Sequence, residues 1–378
     1  MGNARLPDVK KPEKTGLLDL PFLALTVLLT ALGLVMIYSA SYARALYETG
    51  DSGYFFKRQL MFAVLGIGAM LAISRVKPVL LRKLAFPLLG ISILFLVLVF
   101  VPGIGQSENG ATRWIRLGVS FQPSEIAKLA VILSYAALIS GFGEKMETFR
   151  WGILPFAAIL VVIVVLLRLE PHNSAIVIIA CTAAAMLFLG GVKYRWFILG
   201  GMVMALGLGV ILGAGGYEAS RITAWLDPFS DPTDDGYQII QSLYAIGSGG
   251  LLGLGLGQGR QKYMYLPEEH NDYIFSIVCE ELGLVGAAAI LVLYALLILR
   301  GYWIAMHLRD RFLALTVAGI ITLTAIQVFF NIGVVTNLLP STGISLPFFS
   351  YGGTALLIQL GEMGIILGAS RQCSAGFL

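Results

Sequence analysis

The chain has 378 residues, of which 57% are hydrophobic and only 13% are charged. This composition excludes an ordinary soluble domain and a disordered chain, because so large an apolar fraction is typical of proteins whose solvent is mainly lipid. The net charge of +4 is ordinary for a membrane protein with basic residues on one face, and it gives no reason to expect nucleic-acid binding.

Windows of about 20 apolar residues, the length that crosses a bilayer as a helix, recur along the chain. Ten spans are predicted: 17–41, 59–76, 84–102, 123–141, 151–167, 173–190, 196–216, 272–299, 312–335 and 347–369. Strand-like alternation is absent from these windows, and helices satisfy every backbone polar group in lipid. The expected fold class is therefore all-α, a polytopic membrane protein with about ten transmembrane helices.

The orientation follows from the 26 Lys and Arg residues, most of which fall in alternate connections. Basic residues accumulate on the cytoplasmic side, so both termini are predicted to be cytoplasmic. Residues 1–16 are then a cytoplasmic tail, and 217–271 form a large extracytoplasmic loop between the seventh and eighth helices. The whole chain, 1–378, is expected to be a single membrane domain.

Glu125 and Lys128 lie three residues apart on the fourth span, which places them on one helical face where they can neutralise each other. Pro123 and Ser124 fit a helix start just before them. An unpaired charge in hydrocarbon costs on the order of 3 kcal/mol even on lenient insertion scales. Two interpretations stay open: a structural ion pair near the interface, or the charged wall of a substrate cavity.

The polar segment 217–272 interrupts the apolar pattern, and each polar group in it must stay wet or be paired. We therefore look for chemistry there. Within it, Ile239, Ile240, Leu243 and Ile246 recur at helical spacing. This spacing predicts an amphipathic helix over Tyr237 to Ile246 at the membrane interface.

A glycine-rich run from Gly249 to Arg260 follows that helix. No strand precedes it and no Gly-Lys-Ser/Thr closes it, so neither nucleotide-binding fingerprint is met. The simpler interpretation is a flexible or close-packed outer loop. The alternative is that its backbone amides, with Arg260 and Lys262, approach a pyrophosphate.

Asp272 ends the polar segment just before the eighth span. An aspartate at this point is an ordinary helix N-terminal residue, which stabilises a helix by about 0.5–1 kcal/mol. The alternative is a catalytic carboxylate, for which the pKa is pushed in two directions: the helix N-terminus lowers it, whereas Glu268, Glu269 and partial desolvation raise it. Inside the span, Glu280 and Glu281 are expected to give support, through hydrogen bonds to a neighbouring helix.

The segment from Asn337 to Gly353 contains two prolines and several hydroxyl groups at the outer entrance of the last span. It cannot form a plain helix, so its irregular backbone must lie against protein or water. It is either a closely packed helix break or the re-entrant wall of an outer cavity. In the second case Ser350 and Tyr351 are candidate substrate contacts.

Several of these motifs, in this order, resemble the shape, elongation, division and sporulation (SEDS) family, of the FtsW, RodA and SpoVE type. The motifs are Arg113–Ile115, Gln122–Glu125, Arg221–Pro228, Asp235–Gln238, Lys262–Phe275 and Pro340–Gly353. The resemblance covers nearly the whole chain and is closer to the division and sporulation branch, which is FtsW-like. Two departures are local: Asn337 stands where a glycine is common, and Glu170–Ser174 is a variant of the usual Pro-Asp turn.

The resemblance implies a peptidoglycan glycosyltransferase that polymerises lipid II at the outer face of the bacterial cytoplasmic membrane. Its implied partners are a class B penicillin-binding transpeptidase and other division proteins. Asp272 is the implied general base for the acceptor hydroxyl. A divalent cation can assist, although no metal-ligand spacing is present. The cations expected against the undecaprenyl diphosphate leaving group are Arg113, Arg221, Arg260 and Lys262.

Two other classes of function stay open, a flippase for lipid-linked precursors and a non-catalytic division scaffold. A transporter requires polar groups distributed through the depth of the membrane. Most polar groups here crowd the outer half, apart from the Glu125–Lys128 and Glu280–Glu281 positions. This asymmetry favours an enzyme.

Overall fold

The structure, a computed structural model, describes residues 16–108, 111–202, 217–234 and 236–373. Helices dominate these ranges, and eight of them are long and apolar enough to cross a membrane. A further apolar helix, Asn173–Leu189, is shorter. Nine of the ten predicted spans overlap these helices, which confirms the polytopic all-α class. The seventh predicted span, 196–216, lies mostly outside the described residues, although 194–202 are helical.

The helices are numbered here in chain order. They are α1 Leu20–Thr49, α2 Tyr54–Ile73, α3 Pro78–Leu98, α4 Pro123–Phe142, α5 Phe149–Gly152, α6 Leu154–Leu169, α7 Asn173–Leu189, α8 194–202, α9 Tyr217–Leu226, α10 Tyr237–Gly249, α11 Ile274–His307, α12 Arg311–Val335 and α13 Gly353–Ser370. Single turns of 3₁₀ helix occupy Gly143–Glu147 and Pro228–Ser230. Helix α10 confirms the helix predicted over Tyr237 to Ile246, and Ile239 and Ile240 are buried in it.

A small antiparallel sheet, which the sequence did not predict, joins α3 to α4. Its strands are β1 Gly105–Glu108, β2 Ala111–Leu117 and β3 Val119–Phe121, with β2 in the centre. Ile115 pairs with both Gly105 and Phe121 and is fully buried. These strands are too short for their alternation to be distinguished from a polar loop. The sheet leads directly into Pro123 and so fixes the outer end of α4.

The centre of the molecule is formed by α12, with α13 and α4 beside it. Some 78% of the most apolar part of α12 is buried inside the protein, against 22% for α3. The corresponding values are 61% for α13 and 56% for α4. Polar side chains on these three helices therefore face protein rather than lipid, and each needs a partner there.

Helix α11 is broken at Gly283, where φ is 68° and ψ is −172°. The glycine loop, defined here as residues 250–261, fills the break. Leu254 N–H donates to the Glu280 carbonyl at 2.9 Å and Gly255 N–H to that of Glu281 at 3.0 Å. In return, the N–H groups of 284 and 285 donate to the carbonyls of 250 and 251 at 2.9 and 3.1 Å. The loop therefore runs alongside α11 as a re-entrant segment.

Candidate active site

Asp272 lies two residues before α11, and its main chain is fixed from α12. Asn331 Nδ2 donates to the Asp272 carbonyl at 2.6 Å and to the Ile344 carbonyl at 2.7 Å. One amide group thus holds the residue against the 337–352 segment, which precedes α13. A Cβ atom on Gly343 would lie 3.3 Å from Asp272 Oδ2, so the carboxylate lies directly against this glycine.

The environment of the Asp272 side chain makes it a weak acid. Its Oδ1 atom is buried and has no hydrogen-bond partner among the described residues. Burial, and then the nearby negative charge of Glu268, raise the pKa of Asp272 to about 7. Its own backbone amide and the positive charge of Arg221 act in the opposite direction. The group therefore changes protonation state close to neutral pH.

Helix α9 carries Arg221, one of the cations predicted from the sequence, and its charge acts on Asp272. Its Nη1 donates to the Ser341 carbonyl at 2.8 Å. Trp225 Nε1 donates to the Asn337 carbonyl at 3.1 Å, and Asn337 Nδ2 donates back to the Trp225 carbonyl at 3.2 Å. Asn337 has φ of 59°, a conformation that asparagine tolerates better than most residues other than glycine. These bonds hold α9 against the segment that contacts Asp272.

Ser350 and Tyr351 tie the 337–352 segment to the residues just before Asp272. Ser350 Oγ donates to the Asn271 carbonyl at 2.6 Å and accepts from Leu346 N–H at 2.7 Å. Tyr351 N–H donates to the His270 carbonyl at 2.9 Å. The hydroxyl of Ser350 is therefore already engaged, and both residues hold the main chain beside Asp272.

Glu125 and Lys128 form an ion pair of 2.7 Å in a narrow cavity at the centre of the bundle. The cavity is bounded by α4, by residues 345–352 and by α12 and α13. Ser350 and Tyr351 line it, but Asp272 does not. Asp272 is therefore not part of the wall of this cavity, although Ser350, which lines it, donates to the Asn271 carbonyl next to Asp272.

Glu362 on α13 also lines this cavity, and sequence reasoning missed it. It is only 5% exposed, and its charge interacts with both Lys128 and Glu125. An isolated glutamate in an otherwise apolar span was the available signal. It drew no attention because nothing in the local pattern linked α13 to α4.

Three charged side chains bind other groups of the chain inside the protein: Lys262, Glu280 and Glu281. Glu281 accepts hydrogen bonds from Lys262 Nζ at 2.8 Å and from Ser39 Oγ at 2.5 Å. Lys262 is 2% exposed, so its position does not fit the expected contact with a diphosphate. The glutamates do give support, but to the glycine loop rather than to a neighbouring helix alone.

The amides of the glycine loop are likewise occupied. Gly257 N–H donates to Glu281 Oε2 at 3.0 Å, and Arg260 N–H donates to Glu280 Oε1 at 2.8 Å. The alternative in which these amides approach a pyrophosphate is therefore wrong for this structure, since carboxylates of the same chain already take that place. The Arg260 side chain itself is exposed.

Arg113 is on strand β2, and its guanidinium donates to the Pro171 carbonyl in the turn between α6 and α7. Burial raises the pKa of Glu170 in this turn to about 8, against the influence of Arg113. Burial and nearby cations lower the pKa of His172 to about 3. Both groups are therefore uncharged near pH 7. Among the described residues, no three His, Cys, Asp or Glu side chains lie together in a way that could hold a metal ion.

Comparison with known families places this geometry in context. Residues 20–375 match the FtsW/RodA/SpoVE family model, which is described as a cell cycle protein. Stage V sporulation protein E of Bacillus subtilis is 43% identical over 355 residues, covering 93% of this chain and 97% of that protein. A probable peptidoglycan glycosyltransferase FtsW of Geobacter sulfurreducens is also 43% identical, covering 94% and 95%.

Two solved structures share the fold. One is a chain of a peptidoglycan synthase complex described as coordinating polymerization and crosslinking, with a TM-score of 0.79 and 28% identity over 94% of this chain and 98% of that one. The other is the rod shape determining protein RodA of Thermus thermophilus. Its TM-score is 0.69, with 28% identity over 94% of this chain and 97% of that one.

Proposed function

Since the chain belongs to the FtsW/RodA/SpoVE family of cell cycle proteins, we propose that it is a glycosyltransferase that extends glycan strands from lipid II at the outer face of the membrane. The SEDS resemblance seen in its motifs is confirmed by that membership. The chain is a multi-pass protein of the bacterial cytoplasmic membrane.

Asp272 carries the proposal as the general base. A base works best when its pKa lies near the operating pH, and burial raises the pKa of Asp272 to about 7. In the reaction, the acceptor hydroxyl attacks the anomeric carbon of the donor sugar, and its proton passes to the Asp272 carboxylate. The bond from that carbon to the diphosphate breaks, and undecaprenyl diphosphate leaves.

The departing diphosphate carries negative charge, which nearby cations must stabilise. Arg221 is our first choice, because α9 is fixed to the same 337–344 backbone that contacts Asp272. Arg260 is the second, since its side chain is exposed on the outer loop. Lys262 is not proposed, because the buried Glu281 already binds its ammonium group. Arg113 is assigned to holding the α6–α7 turn.

The Glu125–Lys128 cavity is proposed as an adjoining polar site rather than as the reaction centre. It shares the 345–351 backbone with Asp272 through the bond from Ser350 to the Asn271 carbonyl. A shift of this backbone on substrate binding would therefore move both the wall of the cavity and the main chain next to Asp272. We propose in addition that the chain works beside a class B penicillin-binding transpeptidase, an arrangement supported by its likeness to a chain of a peptidoglycan synthase complex.

The experiment that tests the function is polymerisation of purified lipid II by the purified chain, with and without a cognate transpeptidase. Wild type should produce glycan strands, whereas Asp272→Asn should lose about 10²- to 10⁴-fold in rate, the usual cost of removing a general base. Asp231→Asn is the matched control, because Asp231 is exposed on the same outer loop. Strands from Asp272→Asn at the wild-type rate would refute the assignment. Strand formation also separates this activity from lipid translocation, which makes no glycosidic bond.

A further inference from the structure

The cavity between α4, α12 and α13 contains two carboxylates and one ammonium group. Glu125 pairs with Lys128 at 2.7 Å, and Glu362 faces the same space from α13. Gln327 and Gln359 line it with uncharged amides. If both carboxylates are ionised, the cavity carries one unit of negative charge in excess. Inside a membrane protein such a charge is expensive unless it is neutralised.

Among the residues that the structure describes, Glu362 is the carboxylate that has no hydrogen-bonded partner of its own, because it shares the single ammonium group of Lys128 with Glu125. It is 5% exposed, and within the described part of the chain no residue makes a hydrogen bond or ion pair to its carboxylate. Lys128, also 5% exposed, is committed to Glu125. A buried carboxylate that faces a cavity without a partner points to a positively charged occupant.

The size of the cavity limits what that occupant can be. The space open to the centre of a water-sized particle is about 30 Å³, whereas one water requires roughly 10–15 Å³ on this measure. The cavity accommodates a small ion with a water molecule but not a sugar ring. The oxygen atoms of Glu362, Gln327 and the 345–348 backbone are the ligands that hard cations prefer.

We propose that this cavity binds one monovalent cation, Na⁺ or a proton, on Glu362 opposite the Glu125–Lys128 pair. A single positive unit makes the cavity neutral, which a divalent ion beside Lys128 would not do. The titratable groups that line it from other elements are Glu125 and Lys128 of α4 and Tyr351 before α13. The bound cation lowers the repulsion that an unneutralised Glu362 would exert on an anionic substrate next to the cavity.

The test measures the stability of the full chain in phosphatidylcholine nanodiscs, so it does not depend on the proposed glycosyltransferase activity. In the first arm, NaCl replaces choline chloride at constant ionic strength and pH 7.5. A Na⁺ site predicts that Tm rises with NaCl by a few degrees, and that Glu362→Gln abolishes this rise. In the second arm, without Na⁺, pH is varied from 5.5 to 8.5. A proton site predicts that Tm falls with rising pH more steeply in wild type than in Glu362→Gln.

Glu147→Gln is the matched control, since Glu147 is an exposed glutamate in an ion pair with Lys193 and should leave both responses unchanged. Equal responses of wild type and Glu362→Gln in both arms would overturn the proposal. If Glu362→Gln does not fold, Lys128→Met replaces it. Lys128→Met removes the ammonium group, so the net charge of the cavity becomes one unit more negative. The response of Tm to Na⁺ or to pH must then become stronger, and an unchanged response rejects the cation site.

Discussion

Asp272 lies at a helix start and is also the residue that we propose as the general base. The two interpretations drawn from the sequence do not exclude each other, because the residue precedes α11 while Asn331 holds its main chain. A cap residue exposed to water would keep a low pKa. Burial instead raises the pKa of Asp272 to about 7, which makes its protonation state sensitive to ordinary changes of pH.

The rate of strand formation should therefore depend on pH. The carboxylate must be ionised to accept a proton, so the rate should rise about tenfold per pH unit below pH 7 and level off above it. Initial rates of lipid II polymerisation from pH 5 to 9, at constant ionic strength, measure this profile. A rate that stays constant between pH 5 and 7 would contradict the role of Asp272.

Stability should follow the opposite trend. In the unfolded chain the pKa of this aspartate is near 3.8, and in the folded chain it is about 7. Between these values the unfolded state ionises while the folded state keeps its proton, so this contribution to stability is present below pH 3.8 and is lost as pH rises to 7. Asp272→Asn should accordingly be at least as stable as wild type at pH 8. Thermal unfolding of both proteins in nanodiscs at pH 8 measures this difference in stability. A lower Tm for the variant would count against a buried, weakly acidic Asp272.

The Lys262–Glu281 pair leads to a different prediction, since both side chains are buried. Lys262→Met leaves the Glu281 carboxylate without its cation and should cost about 3–5 kcal/mol in unfolding free energy. The exposed Lys193–Glu147 pair offers the control, where Lys193→Met should leave the unfolding free energy almost unchanged, because solvent screens an exposed pair. Chemical unfolding followed by tryptophan fluorescence compares the two. Equal effects would show that Lys262 is not held as the structure describes.

Among the elements, the long apolar helices and the amphipathic helix α10 were predictable, whereas the sheet and the path of the glycine loop were not. Apolar length is a local property, so α1, α4 and α12 could be located from single windows of sequence. The sheet β1–β3 is too short to give a pattern. The binding of Lys262 by Glu281 depends on a loop that folds back along a broken helix, and no local signal reports such a contact between segments. Glu362 was missed for the same reason, because the charged groups near it are on α4, far away in the sequence.

The break in α11 should depend strictly on glycine. At Gly283 φ is 68°, and an added Cβ would lie 2.2 Å from the Gly253 nitrogen. Gly283→Ala therefore costs about 1–3 kcal/mol from the backbone conformation alone, with a steric clash in addition. Gly68→Ala in α2, where nothing lies within 4 Å of an added Cβ, should have little effect. Yield of monodisperse protein and Tm report on both variants, and similar values for the two would argue against the broken helix.

For the whole molecule, the distribution of basic residues predicts a topology in which Asp272 lies on the extracytoplasmic side. Cysteine labelling with a membrane-impermeant maleimide tests it in a background where Cys181, Cys279 and Cys373 are replaced by serine. Ser230→Cys, in the exposed outer loop, should react on intact cells. Glu147→Cys, also exposed, should react only after permeabilisation. The opposite labelling pattern would show that the predicted orientation is reversed and that Asp272 lies on the cytoplasmic side.

The re-entrant glycine loop also sets a rule for insertions and deletions. Its backbone is matched to α11 residue by residue, with four hydrogen bonds around Gly283 and four amides aimed at two carboxylates. Adding or removing one residue between 251 and 257 shifts every later amide by about 3.3–3.6 Å, beyond hydrogen-bonding reach of its carboxylate. In the described part of the chain, the backbone of the exposed turn 231–234 bonds only to its near neighbours Gly236 and Tyr237, so a change of length there should cost less. Within a single outer loop, therefore, one stretch can drift in length during evolution while the other must keep its residue count.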